Sequence, residues 1–254
     1  MRLESPLVAP SISPLLRPHW TLSLYPGAGE AGGCLWAPRR GVPSERSEDP
    51  ERAGSEAVRR ARIRVRRYGV ANRLNRLGTL TYAGAGCHEP AQLREDVAEF
   101  FRGLRPALGG EAFPYLWVPE WHPGGHGLHV HLAVGRYVPQ TLIRDVWQRG
   151  HVHIKLLSNL PVGSGALAEA RLAAGYLSKY IGKSLDDSRR SEGLHRYEVA
   201  QGFQPERARF AGASDEDVIA KACARMGRAP EMVWRSSNVE GWHGPPACWV
   251  SWPD

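Results

Sequence analysis

Cysteines and long apolar runs are scarce in this chain. Only 4 cysteines occur in 254 residues, and they are widely scattered, which excludes a disulfide framework and a zinc knuckle and fits a reducing cytoplasm. No run of about eighteen apolar residues exists, so no membrane span is expected. The N-terminal stretch is rich in proline and lacks an apolar core, so no secretion signal is expected. We therefore predict a cytoplasmic protein without a membrane partner.

Acidic residues are outnumbered, with Asp+Glu 26 against Lys+Arg 33 and a formal net charge of +7. The stretch from Arg59 to Arg76 contains many arginines and no acid at all. Such a stretch suits a polyanionic partner, although a solvated charge run is about as good an interpretation. The candidate DNA-binding residues here are Arg59, Arg60, Arg62, Arg66 and Arg67.

The chain divides into three parts by composition. Residues 1–56 are rich in Pro, Gly, Ser and Arg and show no helical or strand period, which predicts a flexible tail. A folded domain is predicted over 57–184. The remaining part, 185–254, is predicted to be an extension that completes the fold or contacts DNA, and its tryptophans suit either base stacking or core packing.

Apolar periodicity predicts the order of secondary structure. Helical spacing occurs over 92–104, 140–149, 166–183 and 214–226, and in the first half of 57–76, where Ile63 and Val65 also permit a strand. Alternation predicts strands over 77–82, 113–122, 127–134, 151–157 and 197–203. This order predicts an α+β fold in which helices pack on one side of an antiparallel sheet.

One predicted strand carries His129 and His131, separated by a single apolar residue. Successive side chains of a strand point to opposite faces, so the two imidazoles share a face, about 7 Å apart along the strand, and can converge on one cation. Glu120 lies in the preceding apolar run, and a Pro-Gly-Gly turn signal between the runs predicts a hairpin. The predicted metal ligands are therefore His129, His131 and Glu120.

Further histidines leave the ligand set open. His151 and His153 form a second pair with the same spacing, but no carboxylate precedes them on a neighbouring hairpin. His122 and His126 are alternatives to Glu120. Magnesium prefers oxygen ligands, whereas imidazole suits transition metals better. We therefore expect a divalent cation, Mn²⁺ or Mg²⁺, with manganese accepted at least as well as magnesium.

A predicted helix carries Tyr176 and Tyr180 four residues apart, and Lys179 and Lys183 repeat the same spacing. On a helix each pair lies on one face. One interpretation is a tyrosine stripe packed against the core with lysines outside. The second is a pair of active-site tyrosines whose neighbouring lysines neutralise phosphate.

Together and in this order, these stretches resemble the rolling-circle replication initiators of the His-hydrophobic-His (HUH) endonuclease superfamily. The similarity covers roughly residues 59–184 and is greatest to the phage and plasmid type with two tyrosines. Its landmarks are Arg66-Arg-Tyr68, Thr79-Leu-Thr81-Tyr82, Glu120, His129-Val-His131, Trp147-Gln-Arg-Gly150 and Tyr176-Leu-Ser-Lys179-Tyr180-Ile-Gly-Lys183.

The resemblance implies a ferredoxin- or RRM-like sheet of about five strands with the histidine pair on a central strand. It implies a site-specific nickase and strand transferase that cuts single-stranded DNA at a hairpin-associated replication origin through a 5′-phosphotyrosine. Thr79, Thr81 and Tyr82 lie where the family has its first motif and become candidate DNA-binding residues, with a core role as the alternative. A host helicase is a further candidate partner.

Several classes of protein compete with a replication initiator. Two-tyrosine transposases and mobilisation relaxases share the chemistry, but relaxases place the tyrosine before the histidine pair. No Gly-x-x-x-x-Gly-Lys-Ser/Thr nucleotide motif occurs in this sequence. A catalytically silent DNA-binding protein is a third candidate, and a zinc-dependent hydrolase that needs no tyrosine is a fourth.

Overall fold

The computed structural model describes residues 17–38, 50–155, 165–183 and 194–253. In chain order the elements are β1 (His19–Tyr25), β2 (Glu30–Trp36), α1 (Pro50–Ala71), β3 (Arg76–Leu80), α2 (Pro90–Ala107), β4 (Tyr115–Trp121), β5 (Leu128–Val134), α3 (Gln140–Trp147), β6 (Val152–Lys155), α4 (Ala166–Lys183), β7 (Glu198–Val199), β8 (Ala208–Gly212), α5 (Asp215–Met226), β9 (Met232–Arg235) and β10 (Ala247–Ser251). The predicted α+β class is confirmed.

The elements form two compact units. The larger unit contains α1 to α4 and a five-stranded antiparallel sheet in the order β6-β3-β5-β4-β7. The strand that carries the two histidines, β5, lies at the centre of this sheet, as the resemblance implied. A central strand is held by hydrogen bonds on both edges, so its side chains are positioned rigidly.

Helices cover both faces of this sheet, so the predicted packing on one side is wrong. On one face, Val130 and Leu132 of β5 pack in a cluster with Phe100 of α2 and Trp147 of α3. On the other face, Ala133 belongs to a cluster supplied by α1 and α4. Every residue of β5 is buried, and a strand that is buried on both faces needs a layer on each side.

The basic segment is part of one long helix, α1, and not a helix followed by a strand. Val58, Ala61, Val65 and Tyr68 are buried on its inner side. Their spacing of three, four and three residues is that of an amphipathic helix, so the helical period extends through the whole segment. The β-branched residues that also permitted a strand are accommodated within it.

The smaller unit consists of α5 and a second five-stranded antiparallel sheet in the order β8-β1-β2-β10-β9. Part of the predicted tail is therefore structured, because β1 and β2 lie within this sheet; residues 1–16 and 39–49 lie outside the described part. As the sequence predicted, Ser214 caps α5 by accepting a hydrogen bond from the Asp217 N–H at 3.2 Å.

The turn between β4 and β5 depends on Gly127, whose φ is +79°. A Cβ on this residue would lie 2.2 Å from the Cys87 carbonyl oxygen. Gly125 has nearly the same φ, +78°, but a Cβ there would meet nothing within 4 Å. The two glycines therefore separate backbone strain from steric overlap.

We expect Gly125→Ala to cost about 1–2 kcal/mol in the free energy of unfolding, which is the usual cost of a left-handed conformation for alanine. Gly127→Ala should cost about 1–3 kcal/mol more, because the chain must also move away from Cys87. Chemical denaturation of both variants measures the difference. Equal losses for the two alanines would contradict the close approach at Gly127.

Candidate metal centre and tyrosine pair

Glu120, His129 and His131 bring three ligand atoms together at the centre of the larger sheet. The Oε2 atom of Glu120 lies 3.0 Å from Nε2 of His129 and 2.8 Å from Nε2 of His131, and the two Nε2 atoms are 3.1 Å apart. Strand register explains the meeting, because Glu120 on β4 lies directly opposite His129 on β5. All three side chains are largely shielded from solvent.

The spacing of these three atoms fits a common cation. Ligands at about 2.1 Å from a metal are about 3.0 Å apart when they lie at right angles, as in an octahedron. In a tetrahedron the same ligands would be about 3.4 Å apart. The separations of 2.8, 3.0 and 3.1 Å resemble one face of an octahedron, which leaves the opposite face for water or substrate.

Thr79 orients the imidazole of His131. Its Oγ1 lies 3.0 Å from Nδ1 of His131, and the two residues are directly opposed on β3 and β5. When Nδ1 donates to the hydroxyl, Nε2 carries a lone pair that faces the Glu120 carboxylate at 2.8 Å. Two acceptors this close need a cation or a proton between them, so this hydrogen bond prepares His131 to bind a metal.

We expect Thr79→Val to weaken binding of Mn²⁺ about 10–100-fold, the usual effect of removing a partner that orients a metal ligand. Valine keeps the shape of the side chain and removes only the hydroxyl. Thr81→Val is the matched control, because the Thr81 hydroxyl donates to the backbone of His151 and not to a metal ligand. Calorimetric titration with Mn²⁺ measures both, and equal affinities would contradict the orienting role of Thr79.

The two tyrosines lie beside the three ligands because of how α4 packs. Ala173, Leu177 and Ile181, spaced by four residues, are buried in the cluster shared with α1 and the sheet. This orientation leaves Tyr176 and Tyr180 on the adjoining side of the helix, partly buried at the edge of the cluster. The helix therefore presents both phenols to the histidine pair.

The Tyr180 ring stacks on His131, with ring centroids 3.7 Å apart and planes at 22°. The Tyr176 ring is farther from His131, at 6.5 Å, and the Tyr180 hydroxyl donates a hydrogen bond to the Tyr176 hydroxyl. Burial, and next the hydrogen bond with Tyr176, raises the pKa of Tyr180 above its ordinary value. Both hydroxyls thus share one small space beside the candidate metal ligands.

Lysines near the tyrosines differ in position. Lys179 is exposed on α4. Lys183 is the last residue of α4, and its side chain lies outside the described part of the chain. The ammonium of Lys155, on β6, lies 4.7 Å from the centre of the Tyr176 ring. Sequence reasoning missed Lys155, because its proximity depends on the β3–β6 pairing and not on any local motif.

The candidate arginines of α1 have different surroundings. Arg59 is exposed, and Arg60 forms a salt bridge with Glu56 at 3.4 Å. Arg62 donates to the Ser178 carbonyl of α4 at 3.1 Å, so it holds the tyrosine helix against α1. Arg66 and Arg67 are half-buried. A role of these five arginines in binding DNA stays a prediction.

Tyr82 lies away from the metal ligands. Its hydroxyl donates to Asp96 at 2.8 Å, and its ring packs against Trp147 in the cluster on the opposite face of the sheet. Burial and the bond to Asp96 raise the pKa of Tyr82. Asp96 also accepts from Arg149 at 2.8 Å, so Tyr82 belongs to a structural polar network.

The alternative histidines do not join the three ligand atoms. His122 accepts a hydrogen bond from the Gly124 N–H at 3.0 Å, and His126 lies beside His122 with ring centroids 6.3 Å apart. His151 and His153 are exposed at β6. Within the described residues, the only group of three or more His, Cys, Asp or Glu with converging ligand atoms is Glu120, His129 and His131.

Residues 75–185 match the family model of replication-associated proteins of the ORF2 and gene 2 protein type. The matched region contains all three candidate metal ligands and both tyrosines, and the match supports a role in replication initiation with DNA as the partner. Comparisons with curated proteins and with solved structures give no match. Among the described helices, none is long and apolar enough to cross a membrane.

Proposed function

We propose that this protein is a rolling-circle replication initiator of the HUH type, which nicks and rejoins single-stranded origin DNA through a tyrosine. The observation that carries the proposal is the meeting of Glu120, His129 and His131 with Tyr180, whose ring stacks on His131. The family match over residues 75–185 supports DNA as the substrate.

In the proposed step, a tyrosine hydroxyl oxygen attacks the scissile phosphorus. The bond between phosphorus and the 3′ oxygen breaks, the phenol gives up its proton, and the leaving oxygen gains one. The products are a 5′-phosphotyrosine and a free 3′-hydroxyl. Because a phenol is normally protonated at neutral pH, the attack needs assistance.

Glu120, His129 and His131 are the residues that would hold a divalent cation, Mn²⁺ or Mg²⁺. Such a cation, when bound, neutralises non-bridging phosphate oxygens and orients the scissile bond. The chain itself contributes the position of the nucleophile, because α4 holds both phenols beside the ligands and Arg62 holds α4 against α1. Lys155 supplies positive charge beside the Tyr176 ring.

Two tyrosines on one helix suit repeated strand transfer. The phosphotyrosine bond keeps its reactivity, since phenolate is a better leaving group than an alkoxide, so a 3′-hydroxyl can reverse it. While one tyrosine holds a strand, its neighbour can attack a regenerated junction. The hydrogen bond between the hydroxyls of Tyr180 and Tyr176 supports this exchange within one site.

The test is cleavage of end-labelled single-stranded oligonucleotides tiled across the replicon that encodes the protein. With Mn²⁺ we expect a slowly migrating, protease-sensitive band on a denaturing gel, and its loss with a chelator. Manganese should support the reaction at least as well as magnesium. Free cleavage products without a protein-linked band would indicate a metal hydrolase instead, and binding without cleavage would indicate a silent DNA-binding protein.

A further inference from the structure

The sheet of the smaller unit has one face that no helix of that unit covers. Helix α5 packs on Leu22, Leu24 and Val250, which point to one side of the sheet. Side chains at the alternate positions of each strand point to the other side. Residues directly opposite each other share a face, so the strand register identifies what this second face carries.

Aromatic side chains dominate the β2, β10 and β9 part of the second face. Trp249 is directly opposite Trp234 on β9 and Gly32 on β2, so no side chain separates it from the surface of β2. Trp36 packs beside His19, with ring centroids 5.0 Å apart, and Trp242 packs against Trp234 at 5.5 Å.

Two of these rings remain open to solvent. Trp36 is 41% exposed and Trp242 is 44% exposed. Large apolar side chains are usually buried, and a cluster of exposed ones on one face marks a binding surface. Core packing, which the sequence left open for the C-terminal tryptophans, explains Trp252, which is fully buried, but not these two.

Positive charge lies at the β8 edge of the same face. Arg209 of β8 is exposed and lies directly opposite Ser23 of β1. Arg207, just before β8, points to the same side and donates to the Ser23 hydroxyl at 2.7 Å. The two arginines line a groove together with Thr21 and Ser23.

The strands contribute one carboxylate to this face, that of Glu30, which is buried. The charge that the described strands present to solvent here is therefore positive. From β8 to β9 the face spans four strand spacings, about 19 Å, with arginines at one edge and tryptophans towards the other. A polymer that alternates anionic groups with flat rings would match both halves of this surface.

We propose that this face, the aromatic face, binds unpaired nucleotides of single-stranded DNA by stacking bases on Trp36 and Trp242 while Arg207 and Arg209 contact phosphates. Stacking is independent of sequence, because every base has a π-face, and exposed aromatic rings on an open sheet are a recurrent platform for it. Binding here goes beyond the proposed nicking reaction, and it needs neither the tyrosines nor a metal.

The test is fluorescence anisotropy of a labelled oligothymidylate of about fifteen nucleotides, titrated with the full chain in a chelator so that no cleavage occurs. We expect Trp36→Ala and Trp242→Ala each to weaken binding about tenfold, which corresponds to about 1.4 kcal/mol. Trp36→Phe should retain most of the affinity, since it keeps a ring. Binding to a duplex of the same length should be much less sensitive to these changes.

Arg209→Ala should lower the slope of log affinity against log salt by about 0.7, the value for one phosphate contact with a single strand. Arg225→Ala is the matched control, because it removes the same charge from exposed α5 on the other side of the sheet. Unchanged affinity in both tryptophan variants, with unchanged circular dichroism, would overturn the proposal. Because no cleavage is measured, failure here is distinct from failure of the nicking reaction.

Discussion

Replacing both tyrosines, as Tyr176→Phe with Tyr180→Phe, is expected to abolish the covalent protein–DNA adduct, lowering the rate of its formation by about a thousandfold or more. Phenylalanine keeps the rings that pack beside His131 and removes only the two hydroxyls. The fold and the metal ligands should therefore survive. Single-turnover cleavage on denaturing gels measures the rate.

The single variants should differ. Tyr180 stacks directly on His131, whereas Tyr176 is farther away, so Tyr180→Phe is expected to slow the first nick more than Tyr176→Phe. Tyr176→Phe should act mainly on the second transfer, which rejoins the strand. Tyr82→Phe is a matched control, because it removes a hydroxyl bound to Asp96 on the other face of the sheet. Adduct formation at the wild-type rate in the double variant would contradict a tyrosine nucleophile.

His131→Ala is expected to remove both Mn²⁺ binding and cleavage. It deletes one of three converging ligand atoms and the ring on which Tyr180 stacks. Losing a group that acts as part of such a unit typically costs several orders of magnitude in rate. Titration calorimetry and single-turnover cleavage should fall together.

His153→Ala serves as the control for that substitution. His153 lies opposite Thr79 on β6, which pairs with β3 and not with β5, and it is exposed and outside the ligand group. We expect its variant to retain metal binding and cleavage within about threefold, as is usual for an exposed position. Loss of Mn²⁺ binding in His153→Ala, with retention in His131→Ala, would assign the metal to the second pair of histidines instead.

Local pattern was sufficient to predict most of the larger unit. Alternation in 127–134 became β5, and the apolar spacing in 166–183 became α4 with the same bounds. A side-chain period of two places His129 and His131 on one face wherever the strand lies, and a hairpin then brings Glu120 opposite His129. The candidate ligand group could therefore be predicted without a three-dimensional structure.

Long-range pairing could not be predicted in the same way. Strands β1 and β2 pair with β8 and β10, which lie far away in the sequence. The glycines of β2 weaken its strand signal, although Gly33 is needed there, since a Cβ would lie 2.0 Å from the Thr21 carbonyl oxygen. Local composition thus resembled a tail.

Side-chain partners across the fold were equally hidden. Tyr82 follows a strand near a predicted site motif, but its partner Asp96 comes from α2 on the opposite face. Thr79 was predicted to contact DNA, and the structure places its hydroxyl against Nδ1 of His131. Both relations depend on which residues the sheet and helices bring together, which no single stretch of sequence encodes.

The central claim, a tyrosine that becomes linked to DNA, is tested most directly by mass spectrometry of the adduct. The protein is incubated with Mn²⁺ and a cleavable single-stranded oligonucleotide, then digested with trypsin and a nuclease. The account predicts a peptide from α4 that carries a nucleotide 5′-phosphate on Tyr180 in the first turnover, or on Tyr176 when Tyr180 is phenylalanine. Cleaved DNA with no modified peptide, or a nucleotide attached to a residue outside α4, would contradict it.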